Sequence, residues 1–115
     1  METDLLALLR TLCVRTFADF APVNTTLPYV TFQHIGGRPL RWLDKSASDK
    51  RHTSMQINVW AKTRAQALLL ARQIEDALCA SSAFSARPES EPLGDAEPDF
   101  MRYGTVQEFS IIADR

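Results

Sequence analysis

The stretch Met55–Gln66, MQINVWAKTRAQ, constrains the fold more strongly than any other part of the chain. Apolar residues alternate with other residues through MQINVWA, which predicts a strand with one apolar face. Thr63 and Gln66 follow as a capping box, in which the Thr63 hydroxyl accepts the Gln66 amide and the Gln66 side chain reaches back. The helix that begins here is predicted to run to about Ala80, and we expect this strand–helix unit to form the heart of the core. Its buried stripe is predicted to comprise Ala67, Leu70, Ala71, Ile74, Ala77 and Leu78.

The N-terminal part is predicted to contain one helix and one further strand. The helix spans about Asp4–Thr16 with Thr3 as its cap, because leucines recur on one face at helical spacing. Prolines and polar residues make Phe17–Pro28 a connector. The strand Tyr29–Ile35, YVTFQHI, is rich in β-branched and aromatic residues and stops at a Gly-Gly turn.

Long loops are predicted on both sides of the strand–helix unit. The loop Gly36–Ser54 includes a short strand over Arg38–Leu43 and a mobile segment over Asp44–Lys50. A short strand is predicted in AFSAR, and the proline-rich and acidic residues after it predict a second loop. The last element is a strand pair or one long strand, in which Gly104 marks a bulge or turn and Val106–Ile112 is the best-defined part.

The order of elements predicts an α+β fold, a mostly antiparallel β-sheet with two α-helices packed on one face. The length of 115 residues is that of one domain, over residues 1–115. The formal net charge of −1 argues against wholesale binding to nucleic acid or to anionic membranes. The chain has no apolar run of membrane-spanning length, and its acidic start, METDLLALLRTL, is unlike a secretion signal.

The sequence contains no recognised pattern for a catalytic, metal or cofactor site. His34 and His52 have no partner at ligand spacing and are interpreted as solvated polar residues rather than as a general base or a ligand. Cys13 and Cys79 form no CxxC pair and are interpreted as reduced, buried thiols of a cytosolic protein. The Gly36-Gly37 pair lacks the third glycine of a phosphate loop and is taken as a turn. We therefore expect no catalytic residues, no metal, no cofactor and no enzymatic activity.

The two long loops have opposite charge. Gly36–Ser54 carries five basic residues against two acidic ones, whereas Ser85–Asp99 carries one basic residue against five acidic ones. Either both loops are simply solvated, or the basic loop of one copy meets the acidic loop of the next copy in a ring. In the second case, changing Arg38, Arg41 and Lys45 to Glu should weaken assembly. The candidate interface residues of the two loops are Arg38, Arg41, Trp42, Lys45, Lys50, Arg51, Glu89, Glu91, Asp95, Glu97 and Asp99.

The two tryptophans are further candidates for contacts. Trp42 follows Arg41 and could stack on or cover phosphate, so non-specific contact with DNA in the bore of a ring is a second hypothesis for the basic loop. Trp60 lies with Gln56 and Asn58 on the polar face of the predicted strand. Two interpretations of Trp60 stay open: an interface anchor, or a side chain packed under the long basic loop.

Three stretches carry a resemblance to a known family: PYVTFQ at Pro28–Gln33, MQINVWA with its capped helix at Met55–Leu78, and YGTVQEFSI at Tyr103–Ile111. In them the chain resembles the tail completion or tail terminator proteins of long-tailed phages and prophages. The resemblance implies a structural protein that caps the tail tube, typically as a six-membered ring, stops tube polymerisation and presents a surface to the head. The implied partners are further copies of the chain, the tail tube protein and a head-completion protein. The implied location is the virion tail, after assembly in the bacterial host cytoplasm.

Other functional classes compete with this interpretation. Another head–tail connector or a minor tail component belongs to the same broad class. A small enzyme or ligand-binding α+β domain is compatible with the fold alone, but no catalytic constellation supports it. A nucleic-acid-binding module is opposed by the near-neutral charge. The sequence therefore favours a virion assembly protein over a catalyst.

Overall fold

The alternating strand and the helix after it are both present at the centre of the fold. A computed structural model describes residues 1–38, 50–97 and 102–114 of the chain. Within these ranges the chain forms two helices and six strands. In chain order they are α1 (Glu2–Leu12), β1 (Thr16–Ala18), β2 (Tyr29–Gly36), β3 (Lys50–Ala61), α2 (Arg64–Ala80), β4 (Ser85–Pro88), β5 (Leu93–Glu97) and β6 (Arg102–Asp114).

The strands form one sheet in the order β1-β2-β3-β6, and both β4 and β5 pair with the remaining edge of β6. β1 runs parallel to β2, and the other described pairs are antiparallel. α2 contacts β3, β4 and β6, and α1 contacts α2 and β1. The buried residues of the helices and of the sheet form one apolar cluster. The predicted α+β fold, a mostly antiparallel sheet with two helices on one face, is confirmed.

β3 has one buried face and one half-buried face over most of its length. Met55, Ile57 and Val59 are buried against the helices, as the alternation predicts. The prediction that the preceding loop extends to Ser54 is wrong, because β3 begins at Lys50. The polar residues at its start adopt the strand conformation because each of them is paired with a residue of β6.

The cap of α2 forms as predicted. Thr63 Oγ1 accepts a hydrogen bond from the Gln66 N–H at 3.1 Å, and Gln66 Oε1 accepts one from the Lys62 N–H at 3.4 Å. The predicted end at Ala80 is confirmed. The buried residues are Ala67, Leu70, Ala71, Ile74 and Leu78, whereas the predicted Ala77 is only half-buried.

α1 is shorter than predicted and is not capped by Thr3. The helix begins at Glu2, so Thr3 lies inside it, and its N-cap residue Met1 makes no side-chain cap bond. It ends at Leu12 because Cys13 is extended, and Thr16 already belongs to β1. Neither α1 nor α2 is long and apolar enough to cross a membrane.

Two short strands lie in stretches predicted as irregular. β1 occupies the beginning of the predicted connector Phe17–Pro28, and β5 lies within the predicted acidic loop. Both are edge strands that pair with one longer neighbour, β2 or β6. β5 contains Gly, Asp and Glu, which are uncommon in strands, so its conformation is stabilised by that neighbour rather than by its own residue preferences. The short strand predicted in AFSAR is confirmed as β4.

The last element is one strand, and Gly104 does not form a bulge or turn. Gly104 lies in register opposite Trp60, without a shift in the ladder. A Cβ atom at this position would lie 2.7 Å from Trp60 Cε3 and 2.8 Å from the Val59 carbonyl oxygen. The glycine is therefore explained by the close approach of the indole ring.

Candidate interaction surfaces

Part of the predicted charged interface lies outside the described residues. Arg41, Trp42, Lys45 and Asp99 fall there, as do most of the predicted strand Arg38–Leu43 and of the segment Asp44–Lys50. Asp95 and Glu97 are placed through their backbone in β5. The described members Arg38, Arg51, Glu89 and Glu91 are exposed.

Lys50 is the first residue of β3 and forms an ion pair with Asp114, its partner in the ladder. Both side chains are exposed. The hydrogen bond from Lys50, and its positive charge, lower the pKa of the Asp114 carboxyl group. The charge of Lys50 therefore already has a counter-charge within the chain. Arg51 is likewise a β3 residue, so the predicted basic loop does not include either of them as a loop residue.

His52 ties the segment after β2 to the β3–β6 pair. Its Nδ1 accepts a hydrogen bond from the Arg38 N–H at 2.7 Å, and its Nε2 faces Ser110 Oγ. Because Nδ1 accepts, the ring proton is assigned to Nε2, which donates to Ser110. Gly37, with φ of +147°, passes so close to β3 that a Cβ atom would clash with the His52 carbonyl oxygen. This arrangement fixes the Arg38 backbone at the corner between β2 and β3.

The acidic stretch forms the edge of the sheet on the other side of β6. β4 and β5 pair with β6 one after the other along that edge. The Glu89 N–H continues the ladder by donating to the Glu108 carbonyl at 2.9 Å. The Arg38 corner and the acidic edge therefore lie on opposite sides of the β3–β6 pair.

Trp60 contacts residues of β6 on the face of the sheet away from the helices. The guanidinium of Arg102 lies 4.9 Å from the centroid of the indole ring, a cation–π distance. Arg102 Nη1 also donates to Tyr29 Oη at 2.8 Å. Gly104 lies directly under the ring. Trp60 is thus half-buried by β6, and its described neighbours are not residues of the basic loop.

A groove of about 740 Å³ separates this face of the sheet from the segment between β1 and β2. We call residues 19–28 the connector. It forms one wall, and Asn58, Trp60, Arg102 and Val106 contribute to the floor. Within the connector, Phe20 is 80% exposed and Val23 is 90% exposed. The sequence predicts this segment as a connector, and the exposed Phe20 and Val23 belong to its apolar FAPV stretch.

A second hollow, of about 480 Å³, lies where α2 begins beside β5. We call it the α2–β5 hollow. Its apolar walls include Leu68, Pro92 and Ala96, and Arg64 contributes the positive charge. Thr105 also lines it, and the Thr105 hydroxyl is buried without a hydrogen-bond partner among the described residues. The sequence contains no local signal for this hollow.

The described residues show no group of three or more His, Cys, Asp or Glu side chains placed to hold a metal ion. Cys13 is buried, and its thiol lies 3.6 Å from the Pro28 carbonyl oxygen. Cys79 is exposed, so the prediction that both thiols are buried is wrong for Cys79. Cys79 lies in the last turn of α2, where its i−4 and i−3 neighbours are Glu75 and Asp76. His34 is exposed on β2, in agreement with its interpretation as a solvated residue.

The chain matches a known protein family over nearly its whole length. The family described as Tail completion protein gp17 matches residues 2–109. The match runs from the start of α1 into β6. It therefore includes the connector, the strand residues that form the floor of the groove, and the acidic edge. A search among curated proteins found no match.

Proposed function

Because the chain belongs to the phage tail completion protein gp17 family, we propose that it caps the tail tube as a homo-hexameric ring and ends tube polymerisation. Family membership gives the chain a structural role in the phage tail, and the expected resemblance is thereby confirmed. The observation that carries the proposal is the match over residues 2–109, which includes almost every element of the fold. The upper side of the ring would join the tail to the head through a head-completion protein.

The distribution of charged residues supports a ring built from head-to-tail contacts. Exposed Arg38 and exposed Glu89 and Glu91 lie on opposite sides of the β3–β6 pair. Surfaces that differ in this way can pair one copy with the next, and such contacts close into a ring when the rotation allows. The proposed partners are further copies of the chain, the tail tube protein and the head-completion protein.

The test is electron microscopy of tails from virions that lack this protein. Loss of a terminator should give overlong tails without heads, and supply of the wild-type protein in trans should restore both length and head joining. Tails of normal length without heads would instead favour another head–tail connector. Tails of normal length with heads attached would contradict both roles.

Contact with DNA in the bore of the ring is a smaller part of the proposal. It concerns Arg41 and Trp42, which lie outside the described residues. A basic contact of this kind should give a shift of DNA in gel electrophoresis that weakens as salt increases. The variant Arg41→Glu should lose the shift, whereas Arg72→Glu on the exposed side of α2 should keep it. Equal shifts for both variants would contradict DNA contact by this loop.

A further inference from the structure

We propose that the open edge of β2 in one copy pairs with the free edge of β5 in the next copy, so that one sheet continues across the contact. This β2–β5 contact rests on the ring proposed above and identifies the strands that join its copies. The two strands run antiparallel, with His34 of one copy opposite Gly94 of the next.

β2 has an edge that β1 covers only in part. The Val30 N–H donates to the Arg15 carbonyl at 2.9 Å. The Phe32 carbonyl accepts from the Asp19 N–H at 2.8 Å, and β1 extends no further along β2. Because alternate residues of a strand point to the same edge, His34 is the next residue on this edge, and no described strand lies beside it. Its N–H and carbonyl are therefore available to a strand of another chain.

β5 has a free edge on the other side of the sheet. The Glu89 N–H donates to the Glu108 carbonyl, so the even-numbered residues of β6 point towards β4 and β5. Asp95 is paired with Gly104 and therefore points to β6, which turns the N–H and carbonyl of Gly94 outwards. A Cβ atom at Gly94 would meet nothing within 4 Å, so a second strand has room to approach.

The two edges match in direction and in face. The strands β2, β3, β6 and β5 alternate in direction, so β2 of one copy meets β5 of an equally oriented copy in the antiparallel sense. His34 lies opposite the buried Met55, on the face of the sheet that carries the helices. Gly94 lies on the same face, opposite Thr105. A pair formed by His34 and Gly94 therefore keeps the helices of both copies on one face.

The side chains of the two edges are also complementary. β5 carries Asp95 in an acidic stretch, whereas the open part of β2 contains no acid. Antiparallel pairing directs the exposed Arg38 that follows β2 towards the exposed Glu91 that precedes β5. It also brings Ile35, which is 38% exposed, beside Leu93, which is 70% exposed. The edges differ from each other, so the contact is head-to-tail.

The offset between the two edges suits a sheet that closes on itself. Within one copy, the ladders align Gly94 with Thr105, Thr105 with Val59, and Val59 with Val30. His34 lies further along β2 than Val30 by about 13 Å. Each copy contributes β2, β3, β6 and β5 between contacts, a width of about 19 Å. This offset tilts the strands by about 35°, a tilt found in closed barrels.

A proline on the open edge of β2 tests the backbone pairing. His34→Pro removes the N–H that donates across the contact and should weaken assembly at least about tenfold in sedimentation velocity. His34→Ala is the matched control, because it keeps the N–H and should assemble like the wild-type protein. Circular dichroism compares the fold of the two variants. Equal assembly of both would overturn the pairing.

Disulfide cross-linking tests the register without a proline. Gln33 and Asp95 flank the pair of His34 and Gly94, so they lie opposite each other across the contact. Within one copy β3 and β6 separate them by at least about 14 Å, too far for a disulfide. In a Cys79→Ser background, the chain with Gln33→Cys and Asp95→Cys should form cross-linked species up to the hexamer in oxidised glutathione. A denaturing gel measures them, and each single variant should form none.

The control pair is Gln33→Cys with Glu89→Cys, which reports a contact without the offset. Such a contact would set Gln33 opposite Glu89 and His34 opposite Pro88, which has no N–H to donate. Cross-links in this pair, dimers of Gln33→Cys alone, or wild-type rings without cross-links in the first pair would overturn the β2–β5 contact and leave the ring standing. A wild-type protein that remains monomeric in solution and on purified tail tubes would overturn the ring itself and this contact with it.

Discussion

Two polar side chains lie on the buried face of β6, and only one of them has its hydrogen bonds satisfied. Gln107 Nε2 donates to Glu75 Oε1 at 2.6 Å and to the Ser90 carbonyl at 2.8 Å. Thr105 is 6% exposed, and its hydroxyl has no partner among the described residues. Gln107 therefore links α2 and the β4–β5 segment to the sheet, whereas burial of the Thr105 hydroxyl destabilises the fold.

Thr105→Val should raise the free energy of unfolding by about 1 kcal/mol, because a methyl group replaces a buried hydroxyl that has no partner. Urea unfolding followed by circular dichroism measures the change. Thr31→Val is the matched control, since Thr31 is similarly buried but its hydroxyl accepts from Asn58 Nδ2 at 3.4 Å. The control should lose stability. A loss in both variants would show that the Thr105 hydroxyl does have a partner.

Cys79 is exposed, yet its reactivity should be low. Desolvation raises the pKa of the thiol, and the negative charges of Glu75 and Asp76 raise it further. A raised pKa leaves less of the reactive thiolate at neutral pH, so alkylation by iodoacetamide should be slow. Asp76→Asn removes one of these charges and should speed the reaction by roughly twofold.

The alkylation rate of Cys79 is measured by mass spectrometry of the folded protein, in which Cys13 is buried. Asp114→Asn removes an acid that does not act on Cys79 and should leave the rate unchanged. If both variants react like the wild-type protein, the acidic neighbours do not control this thiol. If Cys79 is alkylated faster in both variants, the rate depends on the net charge of the protein and not on the position of the removed acid.

At the scale of elements, the pairing of β3 with β6 depends on the absence of a side chain at Gly104. Gly104→Ala should lower the free energy of unfolding by about 1–3 kcal/mol, because its Cβ atom would collide with the Trp60 ring and with the β3 backbone. Gly94→Ala is the matched control, since its Cβ atom meets nothing within 4 Å. Urea unfolding compares the two. Equal stability of both variants would show that the indole ring moves aside freely.

The elements that the sequence predicts correctly are those specified by their own residues. The β3–α2 unit combines strict alternation with the Thr63 cap, so each part is encoded locally. β1 and β5 could not be predicted, because a three-residue parallel strand and an LGDAE edge strand become strand only by pairing with β2 and β6. The same cause extends β3 back to Lys50, where Asp114 is the partner in the ladder.

At the scale of the whole molecule, the sequence predicts the family, whereas the hollows on the surface form only when distant segments meet in the fold. Two residues of the predicted basic loop lie in regular structure, because Lys50 pairs with Asp114 and Arg51 belongs to β3. The α2–β5 hollow could not be predicted, because α2, β5 and β6 meet only in the folded chain. The exposed FAPV stretch at Phe20–Val23 is, by contrast, visible in the sequence as an apolar run in a polar segment.

Charge on opposite sides of the sheet gives a second means of testing head-to-tail assembly. Reversal of Arg38, Arg41 and Lys45 to Glu should weaken assembly by roughly tenfold at low salt, because the reversed charges would repel the acidic edge of the next copy. Reversal of Glu89 and Glu91 to Lys should have a similar effect, since both are exposed beside β4 and β5. Sedimentation velocity measures the dissociation constants, and Arg72→Glu on α2 is the control.

The decisive test is a variant that carries both the basic-to-acidic and the acidic-to-basic substitutions. If the basic segment of one copy meets the acidic segment of the next, this chain pairs opposite charges again and should assemble like the wild-type protein. Added salt should weaken the assembly of this variant as much as that of the wild-type protein, because both depend on attraction between exposed charges. Such attraction is screened beyond about 8–10 Å at physiological ionic strength. If each set of reversals weakens assembly and the combined variant does not recover it, each segment contacts something else, such as the tail tube or the head. Unchanged assembly in every variant would mean that these charges are simply solvated and that apolar contacts hold the ring.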